Sequence, residues 1–264
     1  KDNKLYVSYI KKIDNNCYKN SIVSGSINKK KIIFSEFFIL PKCRPYFSNG
    51  SGGNLSNYKN NEILMTIGDW EMYEHIYYRK NPEEFLDVAQ TIDNPLGKII
   101  AINVDKKDYR ILSMGHRNPQ GLYYDKKDDL IFSAEHGPTG GDEVNLIQNS
   151  NNNILKNFGW PRSSYGEHYQ KKDKTPGKVA PLNKSHSDYD FIEPLHFWTP
   201  SIGVSDVVRY KNNLFVGGMG GNIKEGDLSI HKLRLSNDNK VIKHTVFPVN
   251  DRVRDIFILK ELNQ

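Results

Sequence analysis

Residues 204–247 read VSDVVRYKNNLFVGGMGGNIKEGDLSIHKLRLSNDNKVIKHTVF. Within this stretch Val204–Tyr210, Leu214–Met219, Ser229–Leu235 and Val241–Phe247 are short β-rich runs, the first and last made mostly of β-branched and aromatic residues. Lys211-Asn212-Asn213 and Ser236-Asn237-Asp238-Asn239 separate them with residues that favour turns over strand interiors. The spacing reads as strand, turn, strand, repeated. Working outward, the same grammar recurs in Leu5–Ile10, Lys31–Leu40, Glu62–Trp70, Lys98–Val104, Gly121–Asp125, Leu130–Ala134, Glu143–Ile147, Pro194–Trp198 and Arg252–Leu259. One segment differs. In Asn81-Pro82-Glu83-Glu84-Phe85-Leu86-Asp87-Val88-Ala89-Gln90 a capping Asn, a Pro suited to the first helical position and two acidic residues predict a short helix.

The chain is therefore all-β, and strands this dense without βαβ spacing leave a sandwich, a barrel or a propeller. A six-bladed type of β-propeller suits the length best, since 264 residues hold roughly six blades of about 40–45 residues. Thirteen runs, however, make nearer four blades with long inserted loops such as Ser163–Tyr189. The expectation is a single propeller domain over residues 1–264, incomplete within this chain.

Composition narrows the function classes. With 37% hydrophobic and 11% aromatic residues the chain has material for a packed core, which excludes disorder. No apolar run approaches the roughly 18 residues that cross a bilayer. The formal charge of +6 comes from lysine groups such as Lys29-Lys30-Lys31, Lys106-Lys107, Lys126-Lys127 and Lys171-Lys172, interleaved with Asp and Asn in turns. This is solvated loop charge and not a nucleic-acid stripe. Cys17 and Cys43 have no metal-ligand spacing and are either one disulfide or two buried thiols.

The chemistry concentrates in Gly115-His116-Arg117-Asn118-Pro119-Gln120-Gly121-Leu122, then Ala134-Glu135-His136-Gly137-Pro138-Thr139-Gly140-Gly141-Asp142-Glu143-Val144-Asn145, then Asn157-Phe158-Gly159-Trp160-Pro161. Arg117 and Asn118 supply a fork of donors and an amide. The Gly- and Pro-rich turn exposes carbonyls, while Asp142 and Glu143 offer hard oxygen ligands. The set suits an anionic ligand and Ca²⁺, although a blade turn with a surface acidic pair has the same composition.

These motifs resemble the soluble quinoprotein glucose/sorbosone dehydrogenase family, aldose sugar dehydrogenases that use pyrroloquinoline quinone (PQQ) on a six-bladed propeller. The resemblance spans nearly the whole chain, through Ile67-Gly68-Asp69, Asp93-Asn94-Pro95-Leu96-Gly97-Lys98, Pro194-Leu195-His196-Phe197-Trp198-Thr199-Pro200-Ser201, Leu214-Phe215-Val216-Gly217 and Arg252-Val253-Arg254-Asp255. It implies that Arg117, Asn118, Arg252 and Arg254 contact the quinone. It also implies that the carbonyls of Gly137 and Pro138 hold the Ca²⁺ that polarises it, and that Glu143 and the Phe158 carbonyl hold a second, structural Ca²⁺. A sugar or polysaccharide partner and a periplasmic or extracellular location follow from the same resemblance.

The departures point the other way. Counting back without gaps from Gly68-Asp69, the family's general-base histidine falls on Gly50, the first residue of Gly50-Ser51-Gly52-Gly53-Asn54-Leu55. A cofactor-contacting lysine falls on Gly220. A cofactor-contacting glutamine would lie ahead of Lys1, and the family continues for most of a blade beyond Arg254-Asp255. Losing a positioned base costs typically 10²–10⁴-fold in rate. The expectation is a catalytically degenerate propeller that binds carbohydrate or a protein surface, with an active PQQ- and calcium-dependent aldose dehydrogenase as the alternative. His116 and His136 are the candidate substitute bases. His75, His168, His186, His196, His231 and His244 show no ligand spacing and read as solvated or core-packed. Tyr165, Gly166, His168 and Tyr169 form an aromatic loop that suits sugar stacking or is a chance composition.

Overall fold

The computed structural model describes residues 4–27, 31–59, 61–70, 88–148, 155–167, 183–220 and 227–259. The first sheet is β1 (Lys4–Asp14), β2 (Cys17–Ser26) and β3 (Phe34–Ile39), in that order. The second orders β4 (Gly52–Tyr58), β5 (Glu62–Ile67), β6 (Lys98–Asn103) and β7 (Tyr109–Met114), with the short β11 (Lys156–Asn157) added parallel to β7. The third orders β8 (Asn118–Asp125), β9 (Leu130–His136), β10 (Asp142–Gln148) and β12 (His196–Trp198). The fourth is the stretch first quoted, with β13 (Val204–Tyr210), β14 (Asn213–Gly218), β15 (Ser229–Leu235) and β16 (Val241–Pro248) joined antiparallel in sequence order.

Successive sheets pack face to face, and three apolar clusters fill the seams. Ile22 and Phe38 of the first sheet meet Ile63, Met65, Ile100 and Ile102 of the second. From the other face of that second sheet Leu64, Ile99 and Ala101 meet Leu122, Ile131 and Ile147 of the third. Phe132, Ala134 and Val144 then meet Val207, Val216 and Leu233 of the fourth. A strand buried on both faces needs no polar alternation, which is why β6 reads as the continuous run KIIAIN. The leading strands also adjoin across the seams, β1 to β4, β4 to β8 and β8 to β13. Gly121 makes the last contact possible, since a Cβ there would lie 2.9 Å from the Val207 nitrogen. This is the blade arrangement of a β-propeller.

Several sequence readings change. Arg252–Leu259 is not a strand; its Val253 and Ile256 N–H groups bond to the Gly218 carbonyl and Asp206 Oδ2 instead of to a ladder partner. Strands β2 and β4 carry too many Ser, Asn or Gly residues to stand out, and cross-strand pairing imposes their conformation; β7 (YRILSM) is a further strand, paired with β6. Of the helix expected over Asn81–Gln90, residues 81–87 lie outside the described residues and Val88–Gln90 form a turn. Cys17 and Cys43 form a disulfide, with Cα atoms 4.9 Å apart. Among the described residues no helix is long and apolar enough to cross a membrane.

Candidate functional site

The turn from β7 into β8 carries Arg117, whose backbone groups and Nη1 are all engaged. Its N–H donates to Glu135 Oε2 (2.8 Å), and its carbonyl accepts from the Asp69 N–H (2.8 Å). Its Nη1 donates to the carbonyls of His136 (3.0 Å) and Gly137 (2.7 Å), and the guanidinium lies 5.5 Å from the Trp160 ring centre. Asn118 ties β8 to β4, because its Oδ1 accepts from the Gly52 N–H (3.2 Å) and from Gln120 Nε2 (2.8 Å). That contact brings the Gly50-Ser51-Gly52-Gly53 stretch beside the Arg117 turn. Gly50 itself is buried, donating to Ser48 Oγ and accepting from the Trp70 N–H.

Neither substitute base is equivalent to a free imidazole. His116 is fully buried, with Nδ1 2.9 Å from Glu135 Oε1 and Nε2 2.8 Å from Ser113 Oγ, so neither ring nitrogen faces a ligand. The His136 side chain is 21% exposed, and its Nδ1 lies 3.9 Å from Asp142 Oδ1. Burial lowers its pKa from the ordinary imidazole value; Asp142 opposes this and the Arg117 charge adds to it. Burial thus favours the neutral form of His136, and the ring is partly accessible.

Glu135 and Glu143 stand directly opposite each other on β9 and β10. Both are buried, and Asn145 Nδ2 donates to Glu135 Oε1 (2.6 Å) and approaches Glu143 Oε2 (3.5 Å). Glu143 Oε1 meets His186 Nε2 at 3.2 Å, and His186 Nδ1 meets Ser163 Oγ at 2.8 Å. Burial raises the Glu143 pKa, with the His186 bond opposing it. Burial is the largest single influence on His186 and would lower its pKa, but the bond to Glu143 and the attraction of Glu143, Glu193 and Glu135 together outweigh it and the net shift is upward. His186 was read from sequence as solvated or core-packed. The fold brings it to Glu143 from 43 residues away, a separation with no local signal. Glu135 sits inside a quoted motif, and its anchoring of the Arg117 N–H depends on the register of β8 against β9.

Arg117, Gly137, Glu143 and Phe158 line one cavity of about 10 Å³, together with Glu135, Ser163, Ser164 and His186. This is room for about one water or one ion. Both carboxylates already have partners, Glu135 in His116, Asn145 and the Arg117 N–H and Glu143 in His186, so a hard cation in the pocket would share their oxygens. Among the described residues no three acidic, His or Cys side chains are arranged to hold an ion by themselves, so hydroxyl and carbonyl oxygens would complete its shell. Asp142 does not belong to that set. Its oxygens accept from the N–H groups of Gly137, Gly203 and Val204, which makes it a backbone staple. Pro138 lies apart from the pocket lining, with its carbonyl facing Ser201 Oγ at 3.5 Å.

The quinone fits less well. A tricarboxylate needs cations, yet a Cβ on Gly220 would meet Asp227 Oδ2 at 2.5 Å, so a buried carboxylate borders the position where the family has an ammonium group. Arg252 and Arg254 are exposed on the segment docked against β13 and β14. Among the described residues no ion pair joins either of them to the Arg117 cluster.

Sequential antiparallel sheets with adjoining leading strands, and a polar pocket where the third sheet's turns meet, define a protein of the β-propeller class. The chain belongs to the glucose/sorbosone dehydrogenase family, whose model matches residues 1–261. An uncharacterized protein of Synechocystis is 36% identical over 232 residues, covering 78% of this chain and 50% of its own length. Aldose sugar dehydrogenase YliI of Escherichia coli is 23% identical, covering 96% of this chain and 67% of its own. The structure of the soluble aldose sugar dehydrogenase of Escherichia coli in its apo-form superposes with a TM-score of 0.72 at 22% identity, covering 97% of this chain and 72% of that one. The chain thus spans half to two thirds of the length of these two curated relatives.

Proposed function

We propose that this chain is a catalytically silent glucose/sorbosone dehydrogenase-type propeller that binds carbohydrate, one unit over residues 1–264. The observation that carries this reading is Gly50, a residue without a side chain at the position of the family's base, its backbone already engaged by Ser48 and Trp70. Glycine can neither accept a hydroxyl proton nor orient the hydroxyl. The sealed state of His116 and the carboxylate beside Gly220 add support. A Ca²⁺ in the Glu143 and Phe158 cavity has a structural role in this reading. A location outside the reducing cytosol agrees with the Cys17–Cys43 disulfide.

The test is to mix the protein with PQQ, Ca²⁺ and an artificial electron acceptor across an aldose panel, and to measure sugar binding by calorimetry. The reading expects binding of at least one sugar with no turnover. One observation favours the active alternative: the His136 ring is partly exposed beside Arg117, in surroundings that lower its pKa. Turnover that disappears in a His136→Ala variant would establish that alternative.

A further inference from the structure

Away from this pocket, three histidines meet at the seam between the third and fourth sheets: His196 on β12, His231 on β15 and His244 on β16. His231 Nδ1 and His244 Nε2 are 2.9 Å apart, and Trp198 Nε1 lies 3.2 Å from the same Nδ1. The His196 ring stands edge-on to Trp198 and His244, with centroids 4.7 and 4.9 Å away. His231 is buried, while His244 opens to solvent.

This geometry fixes the protons. An indole N–H only donates, so His231 Nδ1 carries a lone pair and His244 Nε2 must carry a hydrogen. One added proton fits on the other nitrogen of His244. A second proton, on His196, meets only burial and the two other imidazoles among the described residues. On β12 the neighbours are Phe197 and Trp198. On β10, Asp142 is bonded to the Gly203 and Val204 N–H groups and Glu143 to His186. Lys232 and Arg234 of β15 and Lys243 of β16 alternate onto the opposite face. Arg209 of β13, in register with Leu214 and through it with Leu233 and His244, is paired with Asp125 and Asp128.

We propose that His196, His231 and His244 form an acid-sensitive clasp, which joins the third sheet to the fourth when neutral and releases that seam when protonated. Burial and the neighbouring imidazoles lower His196 to about 4, and burial lowers His244. An unfolded histidine titrates near about 6.5. The folded state therefore binds fewer protons than the unfolded one between these values. The contribution to stability is complete above about pH 6.5 and is lost as the pH falls toward about 4.

The test is the thermal midpoint of the full chain at pH 7.5, 6 and 5, for the parent and for a His196→Gln, His244→Gln double variant. The parent should fall by about 3 °C or more beyond the fall of the variant. Parallel curves would overturn the clasp. If the variant does not fold, proton NMR titration of the parent's imidazoles decides. Two of the three midpoints below about 6 uphold the proposal, and all of them near about 6.5 overturn it. A rise in the parent's midpoint on adding Zn²⁺ at pH 7.5, absent from the variant, would assign these nitrogens to a metal and overturn it as well.

Discussion

At the scale of single residues, Gly220 and Asp227 decide what the anionic cradle can hold. A side chain at 220 would have its Cβ 2.5 Å from Asp227 Oδ2 and 2.8 Å from Asp227 Cβ, too close for the buried aspartate to accept without moving. Gly220→Lys alone should lower the urea-derived stability by about 1–3 kcal/mol, as overpacking does. Adding Asp227→Ala should restore most of that loss. It should also raise PQQ affinity by about tenfold or more in a fluorescence titration, because position 220 then supplies a charged hydrogen bond. Unchanged affinity in the double variant would show that the cradle lacks more than this one cation. Glu143 makes a second test. A cation at about 100 times its Kd adds about 2.7 kcal/mol, roughly 5–10 °C in a chain of this size. Chelator should lower the parent's thermal midpoint by that amount and leave Glu143→Gln unmoved; equal responses would remove the metal from this pocket.

Between elements, the Cys17–Cys43 disulfide fastens the start of β2 to the segment leading to Gly50. Tyr18 and Arg44 continue the link by exchanging both backbone hydrogen bonds, at 2.8 and 2.9 Å. Closing a loop of this length contributes about 2–4 kcal/mol. A Cys17→Ser, Cys43→Ser variant should therefore melt roughly 5–15 °C below the oxidised parent and ignore added reductant. The same midpoint for both proteins would count against a stabilising bridge. The elements also differ in how far the sequence announces them. Val204–Tyr210 and Ser229–Leu235 match the observed β13 and β15 at both ends, the first a valine-rich run ahead of an Asn-containing turn and the second an alternating run between Gly226-Asp227 and Ser236-Asn237. Cys17–Ser26 and Gly52–Tyr58 are strands because β1 and β5 pair with them, a non-local cause that composition does not carry. Arg252–Leu259 has strand-like alternation without a ladder, since its N–H groups are met by a carbonyl and a carboxylate.

Across the molecule, motif order made the third sheet's turns readable, and Arg117, Gly137, Glu143 and Phe158 do line one cavity. His186 and the histidine clasp were illegible because each depends on residues from distant strands meeting, and no spacing along the chain encodes such meetings. The seams themselves carry a last implication. Each apolar cluster draws on neighbouring sheets only, and the three clusters share no buried residue. The assembly is then energetically a row of coupled links, each sensing the one before and the one after. Damage at Ile100 weakens one joint and damage at Val216 another, so their effects should add, and one seam can loosen while a more distant one stays shut.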